Sequence, residues 1–197
     1  MFYDTATNAH GLRHDPMKAI VAPRPIGWIS TVSRDGVLNL APYSFFNLVS
    51  EHPPYVMFAS AGRKDSQRNA EETGEFVCSL ATYDLRTEMS TTSAPVGPEE
   101  DEFALAGLEA APSRLVKPPR VAASPTALEC RYWRTVTPPS HAKEPHSMVI
   151  GEVVGVFIDD RFLRDGMLDT VAMRPIARMG YMDYAVVEGK FELRRPR

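Results

Sequence analysis

Cysteine is scarce in this chain: Cys78 and Cys130 are the only two, far apart and outside any CxxC pattern. That excludes a disulfide framework and suits a reduced, cytoplasmic setting. A surplus of one charge is also missing. Lys and Arg number 22 against 25 Asp and Glu, a net charge of -3. Such a balance excludes the basic face of a nucleic-acid binder, and the tail Arg194-Arg195-Pro196-Arg197 is too short to alter this. Long apolar runs are absent, so no span of about 20 residues enters a membrane. The start Met1-Phe2-Tyr3-Asp4 carries acid early and is no secretory signal. There is no GxGxxG, P-loop or GxSxG, which removes the Rossmann, NTPase and hydrolase readings. His10 and His14 have the i,i+4 spacing of metal ligands. Gly11 and Asp15-Pro16 oppose a helix there, and no carboxylate or cysteine cluster joins them, so no metal is expected.

Proline, by contrast, is abundant: 17 residues, often in close pairs such as Pro23/Pro25, Pro53/Pro54 and Pro118/Pro119. Each fixes φ and removes a backbone donor, so each marks a strand end or a loop. A chain cut this often is not a helix bundle; it reads as short strands with a few short helices. Strands are expected over 26–33, 37–40, 55–59, 76–80, 126–135 and 149–158. The first two join through Ser33-Arg34-Asp35-Gly36, because Asp-Gly favours a tight hairpin. Short helices are expected over 66–73, capped by Asp65 or Ser66 and ended at Gly74, over 84–92, capped by Asp84, and over 103–108. The segment 149–158 is apolar on both faces, as in a barrel strand covered from outside, and Gly151 and Gly155 mark a bend or a close approach. The 197 residues read as one domain, 1–197, mainly β, a barrel with a few short peripheral helices.

Two segments carry candidate chemistry. Asn39-Leu40-Ala41-Pro42-Tyr43-Ser44-Phe45-Phe46-Asn47 offers amides, hydroxyls and aromatic rings on an extended backbone. Arg63-Lys64-Asp65-Ser66 offers cations and a hydroxyl where a helix begins, and a helix start favours anions. Together they suit a ligand that is flat at one end and anionic at the other, such as flavin mononucleotide. Taken singly, the second segment also reads as an ordinary helix cap, and the first as a strand corner with two core phenylalanines. His146, before the strand 149–158, can orient a substrate or donate a proton.

The ordered set is more specific than its parts. Ala22-Pro23-Arg24-Pro25-Ile26-Gly27-Trp28-Ile29-Ser30-Thr31, the 39–47 segment, Lys64-Asp65-Ser66, Asn69, Gly74-Glu75-Phe76-Val77, Glu129-Cys130, His146 with Gly151-Glu152-Val153, and Arg178-Met179-Gly180-Tyr181 resemble the flavin reductase-like family. They resemble in particular the branch that contains the reductase component of nitrilotriacetate monooxygenase. The resemblance implies an FMN-binding split β-barrel, a homodimer, and NAD(P)H-dependent reduction of flavin, with FAD or riboflavin as alternatives to FMN and a monooxygenase as a partner. It implies that Asn39, Ala41, Ser44, Phe45 and Asn47 line the flavin and that Lys64, Asp65 and Ser66 hold its phosphate. It places His146 as the catalytic group and Arg178 and Tyr181 as substrate contacts. Ser66 stands where relatives often have threonine, which keeps the hydroxyl, and the loop 138–145 matches nothing assignable and is expected to shape substrate entry. A flavin-binding electron carrier, or a split-barrel module for another flat anion such as haem or pyridoxal phosphate, stays open beside the reductase.

Overall fold

The protein is described by a computed structural model over residues 1–196; Arg197, the end of the basic tail, lies outside the described residues. A short helix α1 (Met17–Ile20) leads into β1 (Arg24–Pro25), and β2 (Gly27–Val32) turns back into β3 (Leu38–Tyr43) through the expected Asp35-Gly36 hairpin. After β4 (Phe46–Glu51) and β5 (Pro54–Ala61) come α2 (Asp65–Thr73), β6 (Glu75–Leu80), α3 (Arg86–Thr91) and α4 (Glu102–Leu105). A small pair, β7 (Ala110–Ala111) and β8 (Arg120–Val121), precedes the two long strands β9 (Thr126–Val136) and β10 (His146–Ile158). The hairpin β11 (Leu163–Arg164)–β12 (Met167–Leu168) follows, and β13 (Ile176–Arg178) and β14 (Tyr184–Val186) extend β1 into a separate three-stranded sheet.

The main sheet is antiparallel with the order β3-β2-β6-β9-β10-β5-β4. Its outermost strands, β3 and β4, are consecutive in the chain and separated only by Ser44-Phe45. Two strands joined by two residues cannot lie at opposite ends of an open seven-stranded sheet. The sheet therefore curls until its edges meet at this corner, which is what makes it a barrel. The seam is tight: a side chain at Gly27 would begin 2.5 Å from the Phe46 ring, so glycine lets β4 close over β2. Gly151 does the same inside, where a Cβ would lie 2.4 Å from Phe76.

Packing explains the rest. Tyr43, Phe58 and Phe76 form an aromatic chain in the barrel, with ring centroids 4.9 and 5.5 Å apart, and Ile29, Val56, Cys78, Cys130 and Val149 complete that core. Burial pushes the Cys78 thiol well above its ordinary value, with Cys130 beside it, so both behave as small apolar groups. A second core outside the barrel gathers Trp28, Leu40, Met89, Phe103 and Ile176 under α3 and α4. β10 carries register shifts against β9 at Ile150/Gly151 and Val153/Gly155, and Val154 and Phe157, read as lying on opposite faces, pack against one cluster. The expected caps also differ. Lys64 sits at the start of α2 with no side-chain cap bond, Asp65 pairs instead with Arg68 at 2.5 Å, and Leu85 rather than Asp84 precedes α3. Among the described residues no helix is long and apolar enough to cross a membrane.

Candidate functional site

The 39–47 segment lies at the barrel seam, and this position sets its chemistry. On the free edge of β3, Leu40 N–H donates to Glu102 Oε2 at 2.9 Å, and Pro42 has no N–H to offer. Asn39 turns into the protein, where Nδ2 donates to Ser66 Oγ (2.8 Å) and Thr31 Oγ1 (3.1 Å) while Asn69 Nδ2 donates to the same threonine (3.2 Å). This buried network fixes the start of α2 against β3. Burial pushes the Tyr43 phenol up, opposed by the adjacent Ser66 hydroxyl. Trp28 Nε1 donates to Thr92 Oγ1 at 2.9 Å and so pins the loop after α3 as a facing wall.

Between these parts lies a cavity of about 420 Å³. It brings together Asn39, Ala41, Lys64, Asp65 and Ser66 among the expected residues, and it adds Tyr43, Thr92, Ser93 and Glu102. Of its cations, Arg63 is drawn away to Glu71 (2.8 Å) and Glu72 (3.4 Å). Lys64 makes no ion pair among the described residues and stands at the N-terminus of a nine-residue helix. Burial pushes the Glu102 carboxyl up, while the Leu40 N–H works in the opposite direction. The donor set fits a phosphate-bearing ligand: an unpaired ammonium, orphan amides of a helix start, and an acid whose charge burial disfavours.

The other expected residues divide. Ser44, Arg178 and Tyr181 line a second cavity of about 270 Å³, which shares Pro42 and Ser93 with the first. Phe45 and His146 pack with ring centroids 5.5 Å apart, His146 being the exposed first residue of β10 opposite Ala61. Asn47 stands apart: its side chain is exposed, and its Oδ1 accepts from Leu48 N–H outside both cavities. Sequence reasoning missed Glu102, Thr92 and Arg24. The acidic run 99–102 and a lone arginine between prolines carry no sign of burial, and only the single Phe103 beside Glu102 hinted at one.

An antiparallel barrel whose sheet edges meet at one seam, with a cavity suited to a phosphate-bearing ligand there, is a split-barrel architecture. The chain belongs to the flavin reductase-like family: residues 18–174 match its domain. Its curated relatives include a protein of Halalkalibacterium halodurans without assigned function, 37% identical over 183 residues, covering 89% of this chain and 87% of its own. Another, from Aquifex aeolicus, is 34% identical over 181 residues, covering 89% and 90%. Among solved structures, nitrilotriacetate monooxygenase component B from Bacillus cereus superposes with a TM-score of 0.90 at 28% identity, covering 98% of each chain.

Proposed function

We propose that the protein binds FMN at the barrel seam and acts as an NAD(P)H-dependent flavin reductase. One observation carries this reading. The fold closes Lys64, at the start of α2, onto the Asn39–Ala41 strand around a single cavity, in a chain of the flavin reductase-like family. FMN, when bound, supplies the hydride-accepting ring. Lys64 and the α2 N-terminus hold the phosphate end, with Asp65 turned to Arg68 so that its charge is spent along the helix. Asn39 and Ala41 lie along the ribityl chain, and Ser66 positions Asn39. Ser44 and Phe45, at the corner outside both strands, sit beside the ring, where their amides favour developing negative charge. His146, packed on Phe45, orients the nicotinamide donor or donates a proton.

The product of this reaction is a reduced flavin, and the likeness to a monooxygenase component supports delivery to a monooxygenase. The exposed Leu48 and Val49 of the edge strand β4, together with the exposed Trp133, support a homodimer. The buried, reduced cysteines support a cytoplasmic site of action.

The test is the visible spectrum of purified protein with FMN, followed anaerobically after adding NADH or NADPH. Bleaching with turnover is expected. A bound flavin that neither donor bleaches overturns the reductase in favour of an electron carrier, and a haem or pyridoxal spectrum overturns FMN. His146→Ala is expected to slow bleaching while FMN stays bound.

A further inference from the structure

The second cavity differs in kind from the first. Arg24, on β1 beside the seam, is only 6% exposed. Its guanidinium donates to the carbonyls of Lys18 and Val21 and, at 2.8 Å, to that of Met179. All three acceptors are neutral, and Nε, also buried, has no partner. Lys18 and Arg178 line the same cavity; Arg178 is held by the Tyr184 hydroxyl and the Tyr181 carbonyl, with its guanidinium 4.5 Å from the Tyr184 ring centroid. Among the described residues none of these three cations forms a salt bridge, and no carboxylate lines the cavity.

Burying a guanidinium against carbonyls satisfies its hydrogens but leaves its charge unbalanced. A nearly dry arginine and two further cations around about 270 Å³ make a place where an anion gains charge-assisted hydrogen bonds. The Ser44 hydroxyl adds a directional donor, whereas that of Ser93 is spent on the Ser90 carbonyl at 2.6 Å. The space is too small for a whole dinucleotide but suits one anionic group and the ring or sugar that bears it. Pro42 and Ser93 form part of both cavities, so whatever sits here sits beside the flavin site.

We infer that the cavity of Lys18, Arg24 and Arg178 is an anion subsite that holds the carboxylate or phosphate of a second substrate beside the flavin. The inference rests on the flavin reading and names the substrate class for that same site. Two sources share this chemistry: the phosphates of a nicotinamide dinucleotide donor and the carboxylate of an organic electron acceptor.

The test leaves Arg24 in place, since its carbonyl contacts hold α1, and changes the two outer cations. FMN-loaded protein is titrated calorimetrically with NADP⁺, NAD⁺ and benzoate, none of which it can reduce without a donor, in the wild type and in Lys18→Gln/Arg178→Gln. At least one probe is expected to bind and to weaken about tenfold or more in the double variant, as loss of charge-assisted bonds implies, while the FMN dissociation constant is unchanged. Variant-sensitive nucleotide binding places the donor's phosphate in the cavity; variant-sensitive benzoate binding places an acceptor's carboxylate there. The inference is overturned by millimolar probes that fail to bind, by equal affinities in both proteins, or by FMN loosening in step with the probe, which would assign these cations to the flavin itself. Protein that takes up no FMN yet binds a probe in a variant-sensitive way keeps the subsite and overturns the flavin reading alone.

Discussion

The two cavities that meet at Pro42 and Ser93 handle charge in opposite ways. Around Lys64 the cations and acids are mixed: Arg63 is paired with Glu71 and Glu72, Asp65 with Arg68, and Glu102 lies buried at the wall. Around Arg24 there are cations alone, and their partners are carbonyl and hydroxyl oxygens. Hydrogen-bond satisfaction and charge neutralisation are therefore separate properties. The first cavity achieves both except at Lys64 and Glu102, neither of which has an ion-pair partner among the described residues; the second achieves only the former, and there only in part. A site of the first kind holds a ligand whose charge is confined to one end. A site of the second kind favours any compact anion.

The sharpest way to break this contrast is Arg24→Met, which removes the charge and nearly keeps the volume. The carbonyls of Lys18, Val21 and Met179 lose their donor. Hydrogen bonds to a charged group contribute about 1.5–3 kcal/mol each. Water can reach the exposed Lys18 and Val21, so the expected net loss is about 3 kcal/mol rather than the full sum. Urea unfolding with an unchanged slope measures it. An equally stable variant would mean that the guanidinium is retained for its charge and not for the packing of α1.

Lys64→Ala probes the other side of the comparison. Lys64 is the cation of its cavity without an acid partner among the described residues, so FMN is expected to weaken about tenfold, near 1.4 kcal/mol, while riboflavin, which lacks the phosphate, is unaffected. Fluorescence titration of both flavins decides this. Parallel losses would remove Lys64 from the phosphate end.

What the chain revealed in advance follows from the range of each interaction. The hairpin at Asp35-Gly36, the end of α2 at Gly74 and the long strands expected over 126–135 and 149–158, observed as Thr126–Val136 and His146–Ile158, rest on local turn chemistry and on runs of one residue class. They were legible. β4 was not recognised as a strand, because Leu48 and Val49 face outward on an edge and break the alternation that marks a half-buried strand. The caps at Asp65 and Asp84 failed because both acids prefer an arginine, Arg68 and Arg174, over the backbone at the helix start. The site was partly legible for the same reason. Lys64-Asp65-Ser66 and the 39–44 segment carry their chemistry in sequence. Arg24, Thr92 and Glu102 acquire theirs only through long-range contacts that no local pattern encodes.

Ser66→Ala gives a smaller effect. Ser66 is fully buried, and its Oγ accepts one of the two bonds of Asn39 Nδ2, the other going to Thr31. Removing one partner of a buried amide while the second remains costs about 1 kcal/mol. Thermal unfolding should show that loss, and FMN affinity should fall only slightly, since Ser66 positions Asn39 in the network. A tenfold loss of FMN with no change in stability would instead make the Ser66 hydroxyl a direct phosphate ligand and bring the first cavity closer to the second in kind.

The smallest expected effect concerns Glu102, the acid that the Arg24 cavity lacks. Burial raises its carboxyl above the ordinary value, against the opposing pull of Leu40 N–H. A carboxyl with a raised folded-state value holds its proton in the native protein at pH values where the unfolded chain has already lost it. The native state then binds more protons than the unfolded state, so stability falls as pH rises from the ordinary carboxylate range through the raised value. Glu102→Gln cannot ionise, and its amide oxygen can still accept from Leu40 N–H. The stability advantage of the variant over the wild type should therefore grow through the weakly acidic range and level off once Glu102 is fully ionised. Melting temperatures of both proteins across that range measure it. A pH-independent difference would show that Glu102 ionises as freely as an exposed acid, and that the two cavities differ more in the fixed charge of their walls than in its burial.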